Sequence, residues 1–199
     1  KHTMAIAQKL YEGMDIDGET VGLITYMRTD STRLSEVFIE ETRHYIKDTY
    51  GSKYLGYYRK PKNADNAQDA HEAIRPTSLK RTPESLKNKL KPQEYKIYKL
   101  IYDKALGSLM SPATNEVTTV IFENNKNQFK ASSSKPIFDG YLKLTRDYED
   151  ETKDKTSDIS RFKEKEEVKA DEVYEKQLFT NPPTRYTEAK LIKDMEELG

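Results

Sequence analysis

The spacing of apolar residues predicts helices in the first half of the chain. Apolar positions three and four residues apart lie on one side of a helix. The first such segment carries Ala7, Leu10, Tyr11 and Met14, and Gly13 stands near its end. We therefore expect an N-terminal helix with one buried side.

Two further helices are predicted by the same spacing. Ser35 is a common type of N-cap residue, and Phe38 and Ile46 follow it on one side of a second helix. The third helix is expected from Pro92 to about Met110, because proline suits a first helical turn. Lysines alternate with tyrosines in this third segment, which would allow base stacking and phosphate contacts. The helical spacing favours tyrosines packed in a core instead.

Beyond residue 111 the pattern changes to alternation, which predicts strands. The runs "EVTTVIFE" (116–123) and "QFKAS" (128–132) flank a turn-forming "NNKN", so we expect a hairpin. Strands are also predicted for "DGYLKLTRDY" (139–148) and "EVYEKQLF" (172–179). The charged segment 149–167 is expected to be an exposed loop, and Thr187 to cap a last short helix.

One stretch, "GLITYMRTDST" (22–32), joins an apolar run to a polar cluster at Tyr26. A phenol has a pKa near ~10 and is a poor nucleophile at neutral pH. A nearby guanidinium favours the phenolate and binds phosphate oxygens. In an extended segment Arg28 would lie on the same side as Tyr26, with Asp30 placed to orient it. The alternative is a packed tyrosine beside a surface ion pair, and spacing alone favours it.

A second stretch, "DAHEAIRP" (69–76), places His71 and Arg75 four residues apart, on one face of a helix. Two such donors suit a phosphate. A zinc protease motif needs a second histidine where Arg75 stands, so that class is excluded. The alternative is an exposed helical turn before Pro76.

Composition limits the choice of function only weakly. The 199 residues include 34 Lys and Arg and 34 Asp and Glu, so net charge gives no support for a nucleic-acid partner. With no cysteine, disulfides and thiolate metal sites are excluded. "DIDGE" (15–19) lacks the ligand spacing of a calcium loop and predicts a turn. No apolar run is long enough to predict a membrane span.

Three motifs together change the interpretation of Tyr26. "GLITYMRTDST", "DAHEAIRPT" and "PPTRYTEAKLIKDMEELG" occur in an order that resembles type IA DNA topoisomerases. The resemblance covers essentially the whole chain and is most specific over residues 4–35, 69–77 and 181–199. Met27 favours the bacterial topoisomerase I branch, because topoisomerase III relatives usually have proline after the tyrosine.

The resemblance implies that Tyr26 attacks a phosphorus of single-stranded DNA and forms a 5′-phosphotyrosyl link. It implies that Arg28 positions the scissile phosphate and stabilises its charge. Asp30 and Ser31, with His71 and Arg75, are implied to bind DNA. The activity implied is ATP-independent relaxation of negatively supercoiled DNA by a cytoplasmic enzyme of the bacterial nucleoid.

The resemblance also implies an α+β fold with three parts. Residues 1–110 would form a helical gate domain with the nucleophile. Residues 111–180 would form a mainly antiparallel β arch, and 181–199 would begin a DNA-binding domain. The family's Mg²⁺ site lies in an N-terminal Toprim domain, which we do not find here. Both chain ends are expected to be cuts through a longer protein, and the isolated piece is expected to be inactive.

Two alternatives belong to other classes. The chain could be a DNA- or protein-binding module with no chemistry of its own, and salt-dependent binding of single strands would support that. A tyrosine recombinase would also form a phosphotyrosyl link. That class needs an H-x-x-R box upstream of a C-terminal tyrosine, whereas the spacing here is H-x-x-x-R, downstream of Tyr26.

Overall fold

The computed structural model describes residues 2–58, 71–148 and 159–199. The chain forms two units, Lys1–Arg161 and Phe162–Gly199. This division does not test the predicted boundaries after residues 110 and 180, which stay predictions.

The N-terminal helix is present and is followed by a small hairpin. Helix α1 spans His2–Glu12, and strands β1 (Met14–Ile16) and β2 (Glu19–Val21) pair antiparallel. The predicted turn at 15–19 is confirmed, since the amide of Gly18 donates to a carboxylate oxygen of Asp15 at 3.0 Å. Met14 lies in β1, so the helix is shorter than its apolar spacing predicts.

Helix α2 (Glu36–Tyr50) begins where the sequence predicts. The hydroxyl of Ser35 accepts from the amide of Phe38 and caps its first turn. Phe38 and Ile46 are buried on one side of it. Gly51, with φ of +95°, ends the helix, because a left-handed φ costs little only for glycine.

The third predicted helix is α4 (Pro92–Gly107), which follows the short α3 (Pro83–Leu86). Tyr98 and Tyr102 are buried in the core, as their helical spacing predicts. Their hydroxyls donate to the carbonyls of Arg81 and Leu79 at 2.6 and 2.8 Å. Burial raises the pKa of both phenols above its ordinary value, because the charged form is penalised there.

The core of the first unit collects apolar side chains from α1 to the end of α4. The side chains that are almost completely buried include Leu10, Leu23, Ile24, Ile46, Leu86, Leu106 and Leu109. Burial of each such side chain stabilises the fold by roughly 1.5–3 kcal/mol. Two of them belong to the tyrosine stretch, which is therefore anchored in the core.

The predicted hairpin is confirmed as β3 (Thr114–Asn124) and β4 (Asn127–Phe138). Asn125 and Lys126 form its turn with φ of +49° and +69°, which matches the twist that two-residue hairpin turns require. Most of its side chains are exposed.

The strand predicted for 139–148 is wrong. Residues Leu142–Thr145 form helix α5, and Arg146–Tyr148 form a 3-10 turn. Short apolar runs fit both helical and strand spacing. Here Gly140, with φ of +50°, forms a turn at the start of the run. The amide of Leu142 then donates to the carbonyl of Asp139 at 2.9 Å, which starts a helical turn.

The strand predicted for 172–179 is also wrong. These residues have no regular structure, and their side chains are exposed. Alternating sequence alone does not make a strand, because its backbone groups need a partner strand. Helix α6 (Glu188–Leu198) is capped by Thr187 as predicted.

The charged loop predicted for 149–167 is described only in part. Residues 149–158 lie outside the described residues, and 159–167 form no helix or strand. Ile159 is buried rather than exposed, because an apolar side chain gains free energy by leaving water.

The α+β fold class with antiparallel strand pairs is confirmed. Among the helices that the structure describes, none has the length and apolar character needed to cross a bilayer.

Candidate active site

The two motifs that carry the site residues lie side by side. The amide of Thr25 donates to the carbonyl of Arg75 at 2.9 Å, and the amide of Thr77 donates to that of Leu23 at 3.0 Å. Ile24 and Pro76 form an antiparallel bridge between these bonds. The apolar half of the tyrosine stretch is therefore paired with the second motif.

The hydroxyl of Thr25 adds a second set of bonds between the motifs. It donates to the carbonyl of Ala73 at 2.8 Å and accepts from the amide of Arg75 at 2.9 Å. Thr25 is therefore joined to the second motif by both its backbone and its side chain. The residue before Tyr26 cannot move without breaking these bonds.

Helix α1 supports the same segment from its other end. The amide of Leu23 donates to the carbonyl of Leu10 at 2.7 Å. A Cβ on Gly22 would lie 2.7 Å from the carbonyl oxygen of Tyr11. Only glycine allows the backbone to approach α1 this closely.

Tyr26 is half-buried and packs against two rings. Its ring centroid lies 5.4 Å from that of Tyr11, edge to face, and 5.0 Å from that of His71. Among the described residues the Tyr26 hydroxyl has no hydrogen-bond partner. The adjacent Met27 is buried. The tyrosine is therefore fixed by its neighbours, while its hydroxyl makes no hydrogen bond to a described residue.

The polar half of the tyrosine stretch forms a turn before α2. The amide of Ser31 donates to the hydroxyl of Thr29 at 3.0 Å, and the hydroxyl of Ser31 accepts from the amide of Arg33 at 3.3 Å. Such hydroxyl-to-backbone bonds are typical of turns. Ser31 therefore shapes this loop.

Arg28 and Asp30 are both exposed. Within the described ranges neither side chain forms an ion pair or hydrogen bond, so Asp30 does not orient Arg28 in this structure. The backbone bends at Met27 and Arg28, and the rule that alternate residues share a side does not apply across a bend. The surface ion pair of the alternative interpretation is absent too.

The predicted helix face of His71 and Arg75 is wrong. Residues 71–75 form no helix. Proline disfavours helical backbone in the residue before it, and here that residue is Arg75. The bonds to Thr25 then hold the segment in a non-helical conformation. Asp69, at the start of this motif, lies outside the described residues.

His71 nevertheless reaches the tyrosine. Its ring packs on that of Tyr26, and its carbonyl accepts from the guanidinium of Arg33 at 3.5 Å. The Nδ1 atom is buried and has no hydrogen-bond partner among the described residues. His71 and Tyr26 are thus brought together by pairing of extended segments.

Arg75 is largely buried, and its guanidinium faces Glu72. Nε and Nη2 donate to the two carboxylate oxygens of Glu72 at 3.0 and 2.7 Å. The guanidinium also lies 4.5 Å from the ring centroid of Phe38. Burial of Glu72 opposes its ionisation, but the bonds and charge of Arg75 outweigh this and hold the pKa of Glu72 below its ordinary value.

Tyr11, Thr25 and Glu72 belong to the site but were not predicted as part of it. Glu72 had a signal, since a glutamate three residues before an arginine often pairs with it. Tyr11 was placed only on the apolar side of α1. For Thr25 we find no sequence signal, because its partners lie in the other motif.

The described part of the chain offers no metal centre. It contains no group of three or more His, Cys, Asp or Glu side chains that could hold an ion. No residue here is therefore assigned to Mg²⁺.

Comparison with known proteins places this α+β chain, with Tyr26 at the junction of two motifs, in one protein class. The family model described as DNA topoisomerase matches residues 1–199, and the chain belongs to that family. The predicted resemblance to bacterial type IA topoisomerase I is confirmed.

Particular relatives support this. DNA topoisomerase 1 of Rickettsia felis is 45% identical over 100% of this chain and 26% of its own length. DNA topoisomerase 1 of Rickettsia conorii is likewise 45% identical over the same shares. Full-length topoisomerase I from Thermotoga maritima is 34% identical with a TM-score of 0.67, over 98% of this chain and 31% of that one. This chain thus spans about a quarter of the curated relatives' length.

Proposed function

We propose that this chain carries the nucleophilic tyrosine of a type IA DNA topoisomerase. The observation that supports it most is the position of Tyr26. It is fixed through Thr25 and packed on His71, while its hydroxyl makes no hydrogen bond among the described residues. A nucleophile needs a fixed backbone and an available oxygen.

In the proposed step the Tyr26 oxygen attacks a backbone phosphorus of single-stranded DNA. A phosphorus–oxygen bond to the tyrosine forms as the bond to the 3′-oxygen breaks. The phenolic proton is lost and the leaving oxygen becomes a 3′-hydroxyl. Reattack by that hydroxyl reverses the step after strand passage, so no ATP is consumed. In the longer protein this chemistry would relax negatively supercoiled DNA.

Arg28 is the proposed phosphate ligand beside Tyr26. It is exposed, and a guanidinium binds phosphate oxygens with two parallel donors. Asp30, Ser31 and His71 are also proposed to contact DNA. His71 would also fix the Tyr26 ring, because their rings already pack together.

Mg²⁺ is proposed to act in the longer protein through residues outside this chain, in the Toprim domain. When bound there, it would supply charge neutralisation at the phosphate. The isolated chain is proposed to be inactive for that reason. The nucleoid is the proposed location.

The test is Tyr26→Phe in the longer protein. We expect covalent DNA adducts to disappear while circular dichroism and unfolding stay unchanged, because the lost hydroxyl has no hydrogen bond among the described residues. Tyr57→Phe is the matched control, since Tyr57 is 90% exposed. Adducts that persist in Tyr26→Phe would refute the proposal.

A complementary test uses the isolated chain. It is mixed with the proposed Toprim domain, Mg²⁺ and a single-stranded oligonucleotide. Peptide mapping should locate the adduct on Tyr26, and omission of the added domain should prevent it.

A further inference from the structure

We propose that Glu72 and Arg75 are positioning residues: their ion pair holds the 71–77 segment, and through it Tyr26, against the start of α2. Arg75 would then make no phosphate contact, unlike Arg28. This inference rests on the proposed function of Tyr26.

The first observation is that all three guanidinium nitrogens of Arg75 already donate a hydrogen bond. Two nitrogens bind Glu72, and Nη1 donates to the carbonyl of Pro76 at 2.9 Å. Its face lies over Phe38, and its side chain is 14% exposed. A two-bond phosphate contact through Nε and Nη2 would require Arg75 to break its pair with a half-buried carboxylate, which leaves that charge without its partner.

The second observation is what else Glu72 binds. Its Oε2 atom also accepts from the amide of Ser35 at 3.2 Å. Ser35 is the N-cap of α2, and its hydroxyl holds the amide of Phe38. One carboxylate therefore joins the second motif to the first turn of α2. A negative charge is favoured at that helix end.

The third observation is how this position reaches the tyrosine. The amide of Ala73 donates to the carbonyl of Arg33 at 2.7 Å, and the carbonyl of Ala73 accepts from Thr25 at 2.8 Å. The 71–77 segment thus lies between the start of α2 and the residue before Tyr26. Loss of the ion pair frees one side of this arrangement, and the packing of His71 on Tyr26 should loosen.

The decisive measurement is the NMR signal of the His71 ring protons, which the adjacent Tyr26 ring displaces. We expect Glu72→Gln and Arg75→Gln each to move these signals toward those of Tyr26→Ala. Lys99→Gln is the control, because it also removes an ion pair, with Asp103 on α4. Unchanged His71 signals in both variants, with the chain folded, would overturn the inference.

A double variant shows whether the two residues act together. If they do, Glu72→Gln with Arg75→Gln should displace the His71 signals little more than either single change. Additive displacements would show that Glu72 and Arg75 do not act as one ion pair. Arg75→Lys tests geometry, since lysine keeps the charge but cannot form two parallel bonds. It should restore the signals only partly.

Salt dependence of single-strand binding separates Arg75 from Arg28. Each phosphate contact contributes a slope of about 0.7 in the logarithm of affinity against that of salt. Arg28→Gln should lower the slope by about that amount, whereas Arg75→Gln should weaken binding at an unchanged slope. An equal fall in slope for Arg75→Gln would overturn the assignment.

The two proposals fail in different ways. If no adduct maps to Tyr26 but the His71 signals respond to Glu72→Gln, the proposed function fails and the positioning role of the ion pair stands. If adducts form on Tyr26 and the His71 signals do not respond, only the positioning role of the ion pair fails.

Discussion

The rings of Tyr26 and His71 lie 5.0 Å apart with 36° between their planes. Each comes from a different motif, and the paired segments 22–26 and 73–77 bring them together. This contact depends on a few hydrogen bonds and one close backbone approach. Those features give predictions that do not need catalysis to be measured.

Gly22→Ala should destabilise the chain by about 1–3 kcal/mol, the usual cost of forcing extra atoms into a packed site. Its Cβ would meet the carbonyl oxygen of Tyr11 at 2.7 Å, and backbone cannot move aside as a side chain can. Gly107→Ala is the control: the nearest atom to its Cβ is a side-chain methyl of Thr145 at 3.7 Å. Urea unfolding should separate the two, and equal midpoints would contradict the prediction.

Thr25→Val should cost about 1–3 kcal/mol, because the shape is kept while hydrogen-bond partners in Ala73 and Arg75 lose theirs. It should also increase hydrogen exchange at the Arg75 amide, which donates to the Thr25 hydroxyl at 2.9 Å. Thr20→Val on the exposed face of β2 is the matched control. If both variants unfold alike, the hydroxyl of Thr25 does not join the motifs.

Alkaline pH should destabilise the first unit. Burial raises the pKa of Tyr50 to about 12, and burial together with Asp103 raises that of Tyr148 to about 12. The unfolded chain then loses these protons near pH ~10, before the folded chain does. The stabilisation that these two phenols contribute is therefore complete below pH ~10 and is lost as pH rises toward the folded pKa values.

Unfolding free energies across this range, with tyrosinate absorbance, measure the effect. Tyr50→Phe should make the decline with pH shallower, because one of the displaced phenols is gone. A decline that is just as steep in Tyr50→Phe would mean that Tyr50 contributes nothing to it.

The N-cap of α2 gives a further prediction. Ser35→Ala should cost about 1 kcal/mol, because the Phe38 amide loses its acceptor. Ser35→Gly should keep more of the stability, since glycine is tolerated at this position. Thermal unfolding of both variants measures it, and an unchanged Ser35→Ala would show that the cap is not needed.

The sequence predicted most helices because local information suffices for them. Ser35 and Thr187 as caps, Pro92 in a first turn and the apolar sides of α2 and α4 all act within a few residues. The β3–β4 hairpin was predictable for the same reason, since its turn joins adjacent strands.

The three wrong predictions have two kinds of cause. The apolar residues of the run 139–148 fit both helical and strand spacing, and a turn at Gly140 favours the helix. The run 172–179 had strand-like alternation but no partner strand. For 71–75 the spacing predicted a helix, whereas the hydrogen bonds to Thr25 hold the segment in a non-helical conformation. For 71–75 and 172–179 the presence or absence of contacts distant in sequence decided the backbone, whereas for 139–148 a local turn did.

The sequence by itself determined the family, the candidate nucleophile Tyr26 and the α+β class, because motif identity and short-range spacing are written in the order of residues. Only the tertiary structure decided which residues surround Tyr26. It placed the rings of Tyr11 and His71 against that of Tyr26 and paired Arg75 with Glu72 instead of leaving it exposed like Arg28. The physical reason is that these contacts arise when two extended segments pair, and such pairing depends on the whole core.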